Sequence, residues 1–150
     1  MTNHGTIRTT IFVLGIAACV DTPPAMQNNE PEVSYRRDVQ PVWDKWCVGC
    51  HNFHTPHLVR AESASDLMGV SWFKCNQGVE RAAFVVPGDP ASSFLMYKLT
   101  GDNPNHYWDR EACDRLMPAD QNGQDIPLVQ LDPVAVQTVK QWIEQGAVFD

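Results

Sequence analysis

The chain has 150 residues, 43% of them hydrophobic and 19% charged, with a formal charge of −7. That length suits one globular domain plus an extra segment. The acidity excludes a nucleic-acid binder of the usual kind, because neutralising a phosphate backbone needs clustered Lys and Arg.

Residues 1–18 have the plan of a short secretory signal peptide. Arg8 supplies the positive charge, and Ile11 to Ala18 the apolar stretch, which is far too short to span a bilayer. The stretch ends in Ile16-Ala17-Ala18-Cys19, which resembles a bacterial lipobox and predicts that Cys19 carries a lipid as the first mature residue. A buried cysteine in a first helix is the alternative, and the polar, Pro-containing Asp21-Thr22-Pro23-Pro24 argues against it. A secreted form without a lipid is the second reading. Val20, in place of an Asp after Cys19, favours outer-membrane sorting. Residues 19–33 show no apolar periodicity and read as a flexible stalk, leaving 34–150 as the domain.

Ser34 is the expected N-cap of a first helix, Tyr35 to Trp46, in which Val39, Val42, Trp43 and Trp46 share one face. Pro41 lacks a backbone donor, so an irregularity is expected around Val39–Pro41. This helix delivers Cys47-Val48-Gly49-Cys50-His51, the c-type haem attachment pattern. Two thiols three residues apart add across two vinyl groups, and the imidazole that follows ligates the iron. A redox-active disulfide wants a βαβ setting that the sequence lacks. Half of a zinc site, completed by Cys75, Cys113, His54 or His57, is the other alternative. Thioether links form outside the bacterial cytoplasm, so the export signal and the motif agree.

His54 and His57 flank Pro56 in a loop and are expected to be solvated, with the approach of one of them to the haem as the alternative. Ser65 to Gly69 is expected to make one helical turn, and Trp72 and Phe73 to cover the haem or the core. Asp89-Pro90 predicts a second helix, capped by Asp89, buried through Phe94, Leu95 and Leu99, and stopped at Gly101. Asp132-Pro133 predicts a third, with Val136, Val139, Trp142 and Ile143 inward and Gly146 at its end. Between these two lies a Pro-, Asn- and Asp-rich loop containing Arg115-Leu116-Met117-Pro118. Met117, in a loop and backed by Pro118, is favoured over Met26, Met68 and Met96 as a thioether ligand, with a packing role as its alternative. Arg115 reads equally as a propionate partner or a solvated charge. With Cys19 lipidated and Cys47 and Cys50 on haem, Cys75 and Cys113 remain. In an oxidising compartment they are most simply a disulfide, contributing about 3–4 kcal/mol on the chain-entropy view.

The series Tyr35…Asp38-Val39-Gln40-Pro41-Val42…Cys47-x-x-Cys50-His51, Val86-Pro87-Gly88-Asp89-Pro90-x-Ser92-Ser93-x-Leu95, Arg115-x-Met117-Pro118 and Gln141-Trp142-Ile143-x-x-Gly146-Ala147 resembles small bacterial cytochrome c domains. These include the planctomycete-type cytochrome c family and related lipoprotein versions. The resemblance implies a mainly α, class I cytochrome c-like fold with long loops, in which the first and last helices pack across each other. It also implies Met117 as distal ligand of one covalent haem c.

The expected function is periplasmic or cell-surface electron transfer by a lipid-anchored protein, steered by its acidity towards redox partners with basic docking faces. A haem enzyme with a displaceable distal ligand, served by His106 or His54, is the enzymatic alternative. A zinc- or disulfide-stabilised interaction module without haem is the third.

Overall fold

In the computed structural model, which describes residues 31–60, 62–69, 82–102, 115–120 and 122–150, Ser34 opens the first helical segment. Its hydroxyl accepts from the Arg37 N–H at 3.1 Å, satisfying a donor that a helix start otherwise leaves bare. Tyr35–Val39 is a π-helical turn, and α1 follows at Gln40–Trp46. The Gln40 N–H reaches back to the Tyr35 carbonyl, one residue further than in an α-helix. Pro41 explains the widening. Its ring crowds the carbonyl four residues earlier and it has no N–H to offer, so the ladder changes register just before it. The irregularity expected at Val39–Pro41 lies there.

The longest helix among the described residues, α6 (Pro133–Glu144), begins and ends as its sequence requires. Asp132 accepts from the Ala135 N–H at 3.1 Å, and Pro133 takes the first position. Ala135, Val136, Val139, Trp142 and Ile143 are its buried residues, and Gly146 turns the chain out at φ 99°. The first segment runs antiparallel to α6. At one end Tyr35 meets Trp142 and Phe149, with ring centroids 5.2 and 4.5 Å away. At the other, Lys45 and Trp46 both donate to Asp132, at 3.0 and 3.2 Å. Trp43, Val39, Val139, Trp142 and Ile143 are fully buried between them. Pro31 and Val33 are tied to this assembly too. The Val33 N–H donates to Gln145 Oε1 at 2.8 Å, and Gln145 Nε2 donates to the Pro31 carbonyl at 3.2 Å.

The remaining elements are short. They comprise α2 (Val48–His51), α3 (Ser63–Leu67), α4 (Phe94–Thr100) and α5 (Leu128–Leu131). The helix expected from Asp89 is split. Asp89 caps only a 3-10 turn, Pro90–Ser92, and α4 starts after a break at Ser93. Ser93 causes the break, since its hydroxyl donates to the Asp89 carbonyl at 2.8 Å and accepts from the Val86 N–H at 2.9 Å. A serine that bonds its local backbone draws it out of helix. The stop at Gly101 holds, with φ 79° and its N–H on the Tyr97 carbonyl at 2.8 Å. The described residues are thus mainly helical and contain no extended strand, with isolated bridge residues at Ala83 and between Ala119 and Asp125. None of their helices is long and apolar enough to cross a membrane.

Ile143 is fully buried in the core that the first segment and α6 share. Ile143→Ala should cost about 2–5 kcal/mol by loss of transfer energy and cavity formation. Chemical denaturation should show this as a lower midpoint with an unchanged slope.

Candidate haem site

The chain carries its helical ladder past Trp46 into the motif. The Cys47 N–H bonds the Trp43 carbonyl at 2.9 Å, and the His51 N–H bonds the Cys47 carbonyl at 2.9 Å. Cys47 and Cys50 are therefore separated by one turn and share a side. Both thiols are free. Cys47 packs against the core with Trp46 and Val48, while Cys50 is exposed. Burial pushes the Cys47 thiol up to about 12, with the neighbouring Cys50 adding to the rise. A nucleophilic dithiol depends on a lowered thiol pKa, so Cys47 has the opposite character. Gly49 is exposed, and a Cβ added there would meet no heavy atom of the described residues within 4 Å.

His51 is the most informative side chain. Its Nδ1 lies 2.9 Å from the Pro56 carbonyl and 3.1 Å from the His54 carbonyl. Carbonyl oxygens only accept, so Nδ1 carries the proton, and in the neutral ring Nε2 keeps its lone pair. Metal-binding imidazoles are held this way, with the second nitrogen committed to a carbonyl. The loop that supplies those carbonyls closes on the same residue, the Leu58 N–H bonding the His51 carbonyl at 2.9 Å. Two adjacent free thiols and an imidazole with one lone pair available form a donor set that suits covalent haem attachment.

Met117 is anchored by its backbone. Its N–H donates to the Lys98 carbonyl at 2.7 Å, and its own carbonyl accepts from the Leu128 N–H at 3.0 Å. It therefore sits between the end of α4 and the start of α5, half-buried. Next to it Leu116 is buried with Ala82, Phe84, Phe94 and Tyr97 in a second apolar cluster. Met96 belongs to the main core, and Met68 is exposed. The exposed Arg115 lays its guanidinium over Gly123, where an added Cβ would come within 2.3 Å of it.

Two histidines differ from each other. His54 is exposed, and its backbone lies on the Nδ1 side of the His51 ring, away from Nε2. His57, expected to be solvated, is held instead: its N–H and Nδ1 lie 2.7 and 2.9 Å from Asp66 Oδ2. The Asp66 carboxylate is held below the usual range, chiefly by the His57 backbone N–H. Nothing local in the sequence points to this pair, whose members are nine residues apart across a loop. Cys19, Cys75, Cys113, Trp72, Phe73 and His106 lie outside the described residues. Among those described, no three His, Cys, Asp or Glu side chains are grouped to hold a metal ion.

No protein-family model matches the chain, and no curated protein or solved structure is similar to it.

The Asp66 bonds set a pH dependence. A carboxylate whose folded pKa is lowered stabilises the fold fully above its unfolded value of about 3.9, and that stability is lost as pH falls through the lower folded value. Asp66→Asn should therefore cost about 1–2 kcal/mol at pH 5, the worth of charge-assisted bonds. Denaturation curves of the two proteins should converge towards pH 2.

Proposed function

We propose that this protein is a membrane-tethered electron carrier with a single covalently attached haem. The observation that carries the reading is the state of His51: an imidazole with Nδ1 bound to two loop carbonyls and Nε2 available, directly after two free thiols one turn apart. Cys47 and Cys50 would form the thioether links, and His51 Nε2 would be the proximal ligand. A haem bound there supplies a one-electron Fe(III)/Fe(II) couple. Met117 is the distal ligand in this reading. Its backbone is fixed at both the N–H and the carbonyl, which limits how far its thioether can wander. A soft neutral sulfur favours the reduced iron. With His51 and Met117 both engaged in holding the haem, the chain would leave the iron no site for a substrate, and the chemistry the group would supply is transfer of an electron.

The antiparallel contact of the first segment with α6 supports a class I cytochrome c-like architecture, as the resemblance to small bacterial cytochrome c domains implies. So do the buried Trp43 and Trp142 and the placement of Met117 after α4. Lipidation at Cys19 would hold the domain to the membrane in the periplasm or at the cell surface. A disulfide between Cys75 and Cys113 would brace the domain in that oxidising compartment. A partner with a basic face would be drawn by the charge of −7, with association slowing as salt rises.

Met117→Leu in haem-loaded protein should abolish the weak thioether–iron charge-transfer band of the oxidised form, while Met96→Leu keeps it. Optical spectroscopy decides. A wild-type spectrum without that band removes Met117 from the site.

A further inference from the structure

Gln40 is 2% exposed, an unusual place for a side chain with two donors and two acceptor lone pairs. Both sides of its amide are bonded. Nε2 donates to the Leu58 carbonyl and to Asp44 Oδ1, each at 2.9 Å, and Oε1 accepts from Ser63 Oγ at 2.8 Å. Leu58 is the closing residue of the loop that wraps His51. Its N–H bonds the His51 carbonyl, its side chain is buried, and its carbonyl is the one Gln40 takes. Arg60 fastens the same loop to the same helix, donating to Asp44 Oδ2 at 3.0 Å. Helix α1 therefore grips the loop through a buried amide at the point where the loop returns to the imidazole.

We infer that Gln40 is a positioning residue for the axial imidazole: by holding the Leu58 carbonyl it fixes the loop whose His54 and Pro56 carbonyls receive His51 Nδ1–H. This rests on the reading of His51 as a haem ligand. The consequence is electronic as well as structural. A firm Nδ1–H bond to a carbonyl makes the imidazole a stronger donor and stabilises the oxidised metal. Loosening the loop weakens that bond and shifts the reduction potential upwards.

The test is Gln40→Leu in haem-loaded full-length protein, beside Val139→Ala, a fully buried core change that makes no hydrogen bond to the loop. Two quantities are read: hydrogen exchange of His51 Nδ1–H by NMR, and the midpoint potential. Gln40→Leu should speed exchange roughly tenfold, the effect of losing one well-placed buried bond, and raise the potential. Val139→Ala should lower stability and leave the potential unchanged. Ser63→Ala, which takes away the bond onto Oε1 and the Ser63 contact with the Tyr35 hydroxyl but leaves both Nε2 bonds of Gln40 in place, should shift both readouts the same way by less, and serves if Gln40→Leu does not fold. Unchanged exchange and potential in Gln40→Leu, or in Ser63→Ala where only that variant folds, overturn the role of Gln40 while leaving the electron carrier intact. Equal potential shifts in Gln40→Leu and Val139→Ala also overturn it. A wild-type protein that never takes up haem overturns both.

Discussion

The His51 ring has one nitrogen already committed. Two backbone carbonyls, those of His54 and Pro56, converge on Nδ1, so any chemistry of this side chain must pass through Nε2. Fixing a tautomer in this way leaves one imidazole lone pair available beside the two thiols. Cys47 has its thiol raised by burial, which makes it a poor nucleophile in thiol exchange. In the reading proposed above, its partner is a vinyl group on a haem. The structure around the motif serves that arrangement from both sides: helix α1 carries the cysteines in, and the loop to Leu58 comes back to hold the ring.

The frame that supports this is the antiparallel contact between the first segment and α6. Its two ends are fastened by different forces. At the Tyr35 end an aromatic cluster with Trp142 and Phe149 is closed by Ser34 Oγ donating to Asp150 at 2.6 Å. At the Trp46 end Asp132 caps α6 while accepting from Lys45 and Trp46. That one carboxylate thus joins the start of α6 to the residues immediately before Cys47, so the motif is held against the most regular part of the fold. An electron carrier gains from such rigidity, because a redox centre that keeps its ligands in place changes oxidation state with little rearrangement.

Much of this was legible in the sequence where the signal is local. Asp-Pro at 132 and 133, apolar residues at helical spacing and Gly146 gave α6 from end to end, and Ser34 gave the start of the first segment. Pro41 gave the irregularity in the first segment, though not its π form at Tyr35–Val39. What escaped depends on distant partners or on competition within one turn. Ser93 breaks the helix after Pro90 because its hydroxyl finds backbone groups at 86 and 89, a choice that propensity alone does not reveal. Helix α5 is four residues long and has no side-chain cap, so it carried no start signal. His57 meets Asp66, and Gln40 meets Leu58 and Ser63, only once the loop has folded back. Gln40 did leave one trace: it stands three residues before Trp43 and seven before Cys47, on the stripe where apolar residues belong.

The most direct test of the central claim is the intact mass of the full chain, matured in a host that attaches c-type haem and then denatured and extracted with acid. One haem should stay on the polypeptide, and a peptide spanning 47–51 should carry it on both cysteines. A colourless polypeptide with free thiols at 47 and 50 would contradict the account.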